Sequence, residues 1–87
     1  MPTLREKTKS EIEHLVGELT RLRDQMRLKL HLASMELRDR YEELDEEIFE
    51  AEQRAKRATE ETAQEIKERL RELRTRMEGL RDRASTM

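Results

Sequence analysis

The sequence predicts an all-α protein: a long amphipathic helix that forms a coiled coil or a helical bundle. Three observations predict it. From Ile12 to Ala84 an apolar residue recurs every three or four positions, with one lapse at Thr62, where Ala63 stands beside the vacancy. That spacing keeps side chains on one face of an α-helix. Charged residues make up 46% of the chain and apolar ones 33%, with only Tyr41 and Phe49 as aromatics, so bulk for an ordinary globular core is lacking. Finally, proline occurs only at Pro2 and glycine only at Gly17 and Gly79, so no helix breaker lies between Glu18 and Glu78.

Taken in chain order, residues 1–9 read as an N-terminal extension. Ser10 followed by Glu13 has the form of a capping box, in which each side chain satisfies a backbone N–H at a helix start. Thr3 is an alternative start. A long coiled-coil helix is expected over 10–84, with a possible bend at 56–62, and 85–87 are expected to fray. Its stripe runs Ile12, Leu15, Leu19, Leu22, Met26, Leu30, Ala33, Leu37, Tyr41, Leu44, Ile48, Ala51, Ala55, Ala58, Thr62, Ile66, Leu70, Leu73, Met77, Leu80 and Ala84. Twenty steps cover 72 residues, a mean of 3.6. That value lies between the periods of left- and right-handed supercoils, so nearly straight helices are expected. An unbroken helix of this kind spans roughly 110 Å at 1.5 Å per residue.

A lone helix leaves such a stripe wet, and most of the stability of an amphipathic helix comes from covering it. Self-association or fold-back is therefore expected. The predicted oligomer interface is Ile12, Leu15, Leu19, Leu22, Met26, Leu30, Leu37, Tyr41, Leu44, Ile48, Ile66, Leu70, Leu73, Met77 and Leu80. Around the middle, Leu28, Leu32 and Met35 form a second apolar line beside the first, which calls for more than one neighbouring helix.

The segment from Lys56 to Thr62 is where a hairpin could form, because Thr62 with Glu65 offers a second capping box and the flanking stripe is only alanine. Charge lends this weight. Residues 1–35 carry seven bases and five acids, 36–52 two and nine, and 53–87 ten and seven, giving +2, −7 and +3. Folding at Ala58 sets the acidic block against the basic stretch Lys67 to Arg83. Two unbroken helices paired antiparallel with a stagger achieve the same complementarity. Continuous phase through 55–66 favours the unbroken helix.

Candidate chemistry is sparse. Glu11 and His14 share the Glu-x-x-His spacing of di-iron bundles, but they flank the stripe and further inward glutamates are missing, so no metal site is expected. His31 lies between Leu30 and Leu32, where burial at an interface could make assembly sensitive to pH. The bases Lys67, Arg69, Arg71, Arg74, Arg76, Arg81 and Arg83 alternate with acids, and acid-first pairs such as Glu36 with Arg40, Glu65 with Arg69 and Glu72 with Arg76 favour internal ion pairs. With net charge −2 and no stacking aromatics nearby, nucleic-acid binding is not expected. No nucleophile with a base, glycine-rich phosphate loop or paired carboxylates in a pocket appears, so neither catalysis nor a cofactor or small-molecule substrate is expected. The absence of cysteine leaves the redox compartment undetermined; with no signal sequence and no membrane-spanning apolar run expected, a cytoplasmic location is the default.

The stretch Met26-Arg27-Leu28-Lys29-Leu30-His31-Leu32-Ala33, with Glu36-Leu37-Arg38-Asp39-Arg40-Tyr41-Glu42-Glu43-Leu44, resembles a segment of small bacterial coiled-coil proteins of the stress-response type, some grouped with a cyanobacterial stress-response protein. The resemblance covers about twenty of 87 residues and implies a bacterial, cytoplasmic helical protein connected with stress, with no functional residue to carry over. Those proteins often have glycine or small residues after Glu-Glu-Leu. This chain continues Asp45-Glu46-Glu47-Ile48-Phe49, a departure that argues against fold-back there. The sequence thus reads as a non-enzymatic interaction protein, a homo-oligomeric scaffold or docking module that binds itself or another helical protein. The rival reading is an amphipathic helix that lies on lipid or membrane surfaces.

Overall fold

Local chemistry breaks the expected rod twice. The computed structural model describes residues 4–85, which form α1 (Leu4–Lys29), a 3₁₀ turn (Leu30–Leu32), α2 (Met35–Lys56) and α3 (Ala63–Ser85). At the first break the backbone tightens after Lys29 and turns extended at Ala33 (φ −87°, ψ 154°) and Ser34 (φ −65°, ψ 161°). The Ser34 hydroxyl then accepts a hydrogen bond from the Leu37 N–H at 3.2 Å, capping the first turn of α2. The Leu30 carbonyl accepts from the Ala33 N–H at 3.1 Å, which closes the 3₁₀ turn, and also from Arg38 Nε at 2.8 Å, which ties α2 back to that turn.

The second break spans 57–62. Arg57 and Ala58 N–H groups donate back to Arg54 and Ala55, and the Ala63 N–H donates to the Thr59 carbonyl at 2.9 Å. Thr62 stands just before α3, where a cap was expected, but its hydroxyl accepts from the Thr59 N–H at 3.0 Å. It closes the turn instead of forming a box with Glu65. Among the described residues neither turn uses a positive φ.

The three helices run up, down and up. α1 and α3 lie parallel in a constant register, since Arg74 meets Glu18, Arg81 meets Gln25 and Lys29 meets Ser85, each pair 56 residues apart. Lys67 and Glu11 share that offset. α2 runs antiparallel to both, joined to α1 through Arg23 and to α3 through Glu47. The particle measures 46 × 22 × 15 Å, less than half the length expected of a rod.

The stripe is covered by its own chain. Ile12, Leu15, Leu19, Leu22 and Met26 of α1, Leu37, Tyr41, Leu44, Ile48 and Ala51 of α2, and Ile66, Leu70, Leu73, Met77 and Leu80 of α3 make one buried cluster. Burial stabilises each large side chain by about 1.5–3 kcal/mol. The residues predicted to face a second chain are therefore an internal core, with Leu30 at the turn only half-buried. Three boundaries also change. The unbroken helix over 10–84 is replaced by three helices, because Ser34 and the Thr59–Thr62 pair end the backbone ladder while the stripe keeps its phase. Residues 4–9 belong to α1, which places Ser10 inside a helix; Thr3 lies outside the described residues. Ser85 belongs to α3, with Met87 and Thr86 outside the described residues.

Candidate functional site

The sides of the bundle are closed by interhelical ion pairs. Glu11 Oε2 contacts Lys67 Nζ at 2.8 Å, and Glu18 Oε2 contacts Arg74 Nη1 at 3.0 Å. Arg23 reaches from α1 to Asp45 (2.5 Å) and Glu52 (3.1 Å) on α2. Glu47 takes Arg69 (3.3 Å) and Arg76 (2.9 Å) from α3. The acidic block of α2 thus meets bases from both neighbours, as expected of a chain folded near Ala58. Of the acid-first pairs within a helix, Glu36 with Arg40 forms at 3.2 Å, while Arg69 and Arg76 turn across to α2. Two titrations respond. The Lys67 contact holds Glu11 below the usual carboxylate range, partial burial opposes it, and the charges of Lys67, Arg71 and Lys7 assist. Burial works to lower the Arg23 pKa, but Asp45, followed by Glu52, outweighs it and the net shift is upward.

These pairings also occupy the residues with chemical potential. Glu11 is committed to Lys67, and His14 Nε2 lies 2.6 Å from Glu18, so the Glu-x-x-His pair does not converge on one point. An open groove lined by Lys7, Ser10, Glu11, His14 and Arg74 runs beside them, and another lies between α2 and α3 among Glu36, Arg40, Glu43 and Arg76. Both lie along the flanks, with bases and acids interleaved. Among the described residues no group of three or more His, Asp or Glu is placed to hold a metal. His31 is exposed on the 3₁₀ turn.

The apolar residues left over gather at one end. Leu28 closes α1, Leu32 ends the 3₁₀ turn and Met35 opens α2, and these side chains are 76%, 87% and 79% exposed. They sit within eight residues of chain folded around a turn, so they share the pole at which α3 also ends, as the Lys29–Ser85 contact shows. Phe49, 55% exposed, stands apart on α2. The second apolar line was legible in the sequence. Its place at a pole was not, because the turn that puts it there carries neither glycine nor proline; the signal lay in Ser34, an N-cap residue followed by Glu36 in the first turn of α2.

Comparison with known protein families, curated proteins and solved structures finds no match. No helix among the described residues is long and apolar enough to cross a membrane.

Proposed function

We propose that the chain is a non-enzymatic interaction module, a self-contained three-helix bundle that docks through the pole formed by Leu28, Leu32 and Met35. The observation that carries this reading is the contrast between a core covered within one chain and three large apolar side chains left in water at one end. Scattered exposed apolar residues are ordinary, whereas several gathered at one pole point to a contact surface. The resemblance of 26–44 to bacterial coiled-coil proteins of the stress-response type supports a cytoplasmic setting and a role in stress. An environment-sensitive apolar dye tests the surface. It should bind the wild type and lose most of its signal with the Leu28→Ser/Leu32→Ser/Met35→Ser variant at unchanged helicity; equal signals remove the pole from consideration.

A second reading is a homo-oligomer made by exchange. Stripe phase continues through both turns, and neither turn requires glycine or a positive φ, so a straightened helix could seat its neighbour on a second copy. Light scattering with small-angle scattering separates the two. A 10.5 kDa particle near 46 Å long fits the closed bundle; doubled mass at twice that length fits exchange.

A further inference from the structure

The pole carries a charge pattern as well as an apolar one. From Gln25 to Met35 eleven residues pass without an Asp or Glu, the longest such run in a chain with 21 acids. Within it Arg27 and Lys29 alternate with Leu28, Leu30 and Leu32. Arg38 lies just beyond, and Arg81 and Arg83 arrive on the last turns of α3. The acids nearest the pole are Asp24, Glu36, Asp39 and Asp82. Three of them already stand beside bases: Asp24 by Arg27 at 3.8 Å, Glu36 by Arg40 at 3.2 Å and Asp82 by Arg81 at 3.4 Å. The rest of the acidic block begins at Glu42, seven residues down α2 from Met35. That is roughly 10 Å at 1.5 Å per residue, more than a Debye length at physiological salt.

Building on the docking surface proposed above, we infer that its occupant is an anionic lipid surface, with Leu28, Leu32 and Met35 entering the headgroup region and Arg27 and Lys29 meeting lipid phosphates and carboxylates. Shape decides among occupants. A partner helix needs a groove to lie in; one open groove lies by Lys7, Ser10 and Glu11 toward the opposite end of α1, another reaches Glu36 and Arg83 beside the pole with Asp39 and Glu43 in its lining, and none of the three apolar side chains lines either. A turn projecting from the end of a bundle suits a surface that yields around it. A second copy meeting pole to pole brings bases against bases. The long stripe is not what touches lipid, since the core consumes it; the pole offers apolar contact together with positive charge, the two signals that membrane attachment requires.

Co-flotation with vesicles tests this. The full chain should float with phosphatidylserine-containing vesicles and stay behind with pure phosphatidylcholine, and raised salt should release it. Arg27→Gln/Lys29→Gln should weaken binding about 25-fold, at roughly fivefold per base. Leu28→Ser/Leu32→Ser/Met35→Ser should abolish it with helicity and mass unchanged, because all three side chains already lie in water in the folded state. No flotation with anionic vesicles, or flotation indifferent to the triple substitution, overturns the inference. If the dye still reports the pole while vesicles do not float, docking stands and the lipid occupant falls. If the dye is also silent, the docking reading falls with it.

Discussion

Gly17 and Gly79 offer a test of whether the outer faces of α1 and α3 are free. Each sits inside a helix, is exposed, and has a conformation that any residue adopts. A Cβ added at either position meets nothing within 4 Å. Replacing each with alanine therefore removes only the entropic penalty of glycine, about 0.8–1.0 kcal/mol in a helix interior. The two lie on different helices and a methyl group added at either meets no neighbour, so the gains should add to roughly 1.6–2 kcal/mol. For a domain of this size that is a rise in Tm of roughly 6–16 °C. Thermal and urea denaturation followed by circular dichroism, with mass checked by light scattering, measures it. A loss of stability in Gly17→Ala or Gly79→Ala would refute the reasoning, because it would mean that something packs against that face closely enough to exclude a methyl group. A second chain would then be the first suspect.

The core should behave differently from the pole. Leu73→Ala, at a fully buried position, should cost about 3–5 kcal/mol, a large share of the roughly 4–13 kcal/mol expected for a chain this long, and urea midpoints should show it. Leu32→Ala, at a side chain 87% exposed, should change stability by less than about 0.5 kcal/mol in the same assay. Ser34→Ala removes the cap of α2 and should cost about 1 kcal/mol, read as a lower Tm; no change would mean that the turn at 30–34 holds without it. The Glu11–Lys67 contact gives a pH signature. Because the folded pKa of Glu11 is depressed, its contribution is complete above the unfolded value of about 4.3 and disappears as pH falls through the folded one. Wild type should thus be more stable than Lys67→Gln at pH 7 and lose that advantage in acid; a difference independent of pH would assign the effect of Lys67 to packing.

How far the sequence foretold the fold depends on what each signal reports. Leucine spacing reports which side chains are buried, and every large stripe residue of the three helices lies in the core except Leu30 at the turn. It does not report whether the backbone between them is continuous. Leu30, Ala33 and Leu37 keep helical spacing across 30–34 even though Ala33 and Ser34 are extended, because both sides of the turn face the same core. Charge was the better guide to topology. The acidic block of α2 and the basic run of α3 are complementary only when the chain folds between them, and Glu47 with Arg69 and Arg76 realises that pairing. Stripe phase continues through 55–66 although the backbone turns at 57–62, so at this point charge and not phase reports the fold-back. The pole needed three dimensions, since Leu28, Leu32 and Met35 in sequence look like one more stripe waiting for a neighbour.

The odd number of helices has a practical consequence. With α1 and α3 parallel, the two ends of the described chain leave the bundle from opposite poles, Leu4 far from the turn at 30–34 and Ser85 beside Lys29. A tag or fluorophore appended after α3 is attached at the pole that holds Leu28, Leu32 and Met35, while one placed ahead of α1 is attached at the opposite pole. Tension applied between the two ends runs along the parallel seam and loads its ion pairs in shear, together and not one after another.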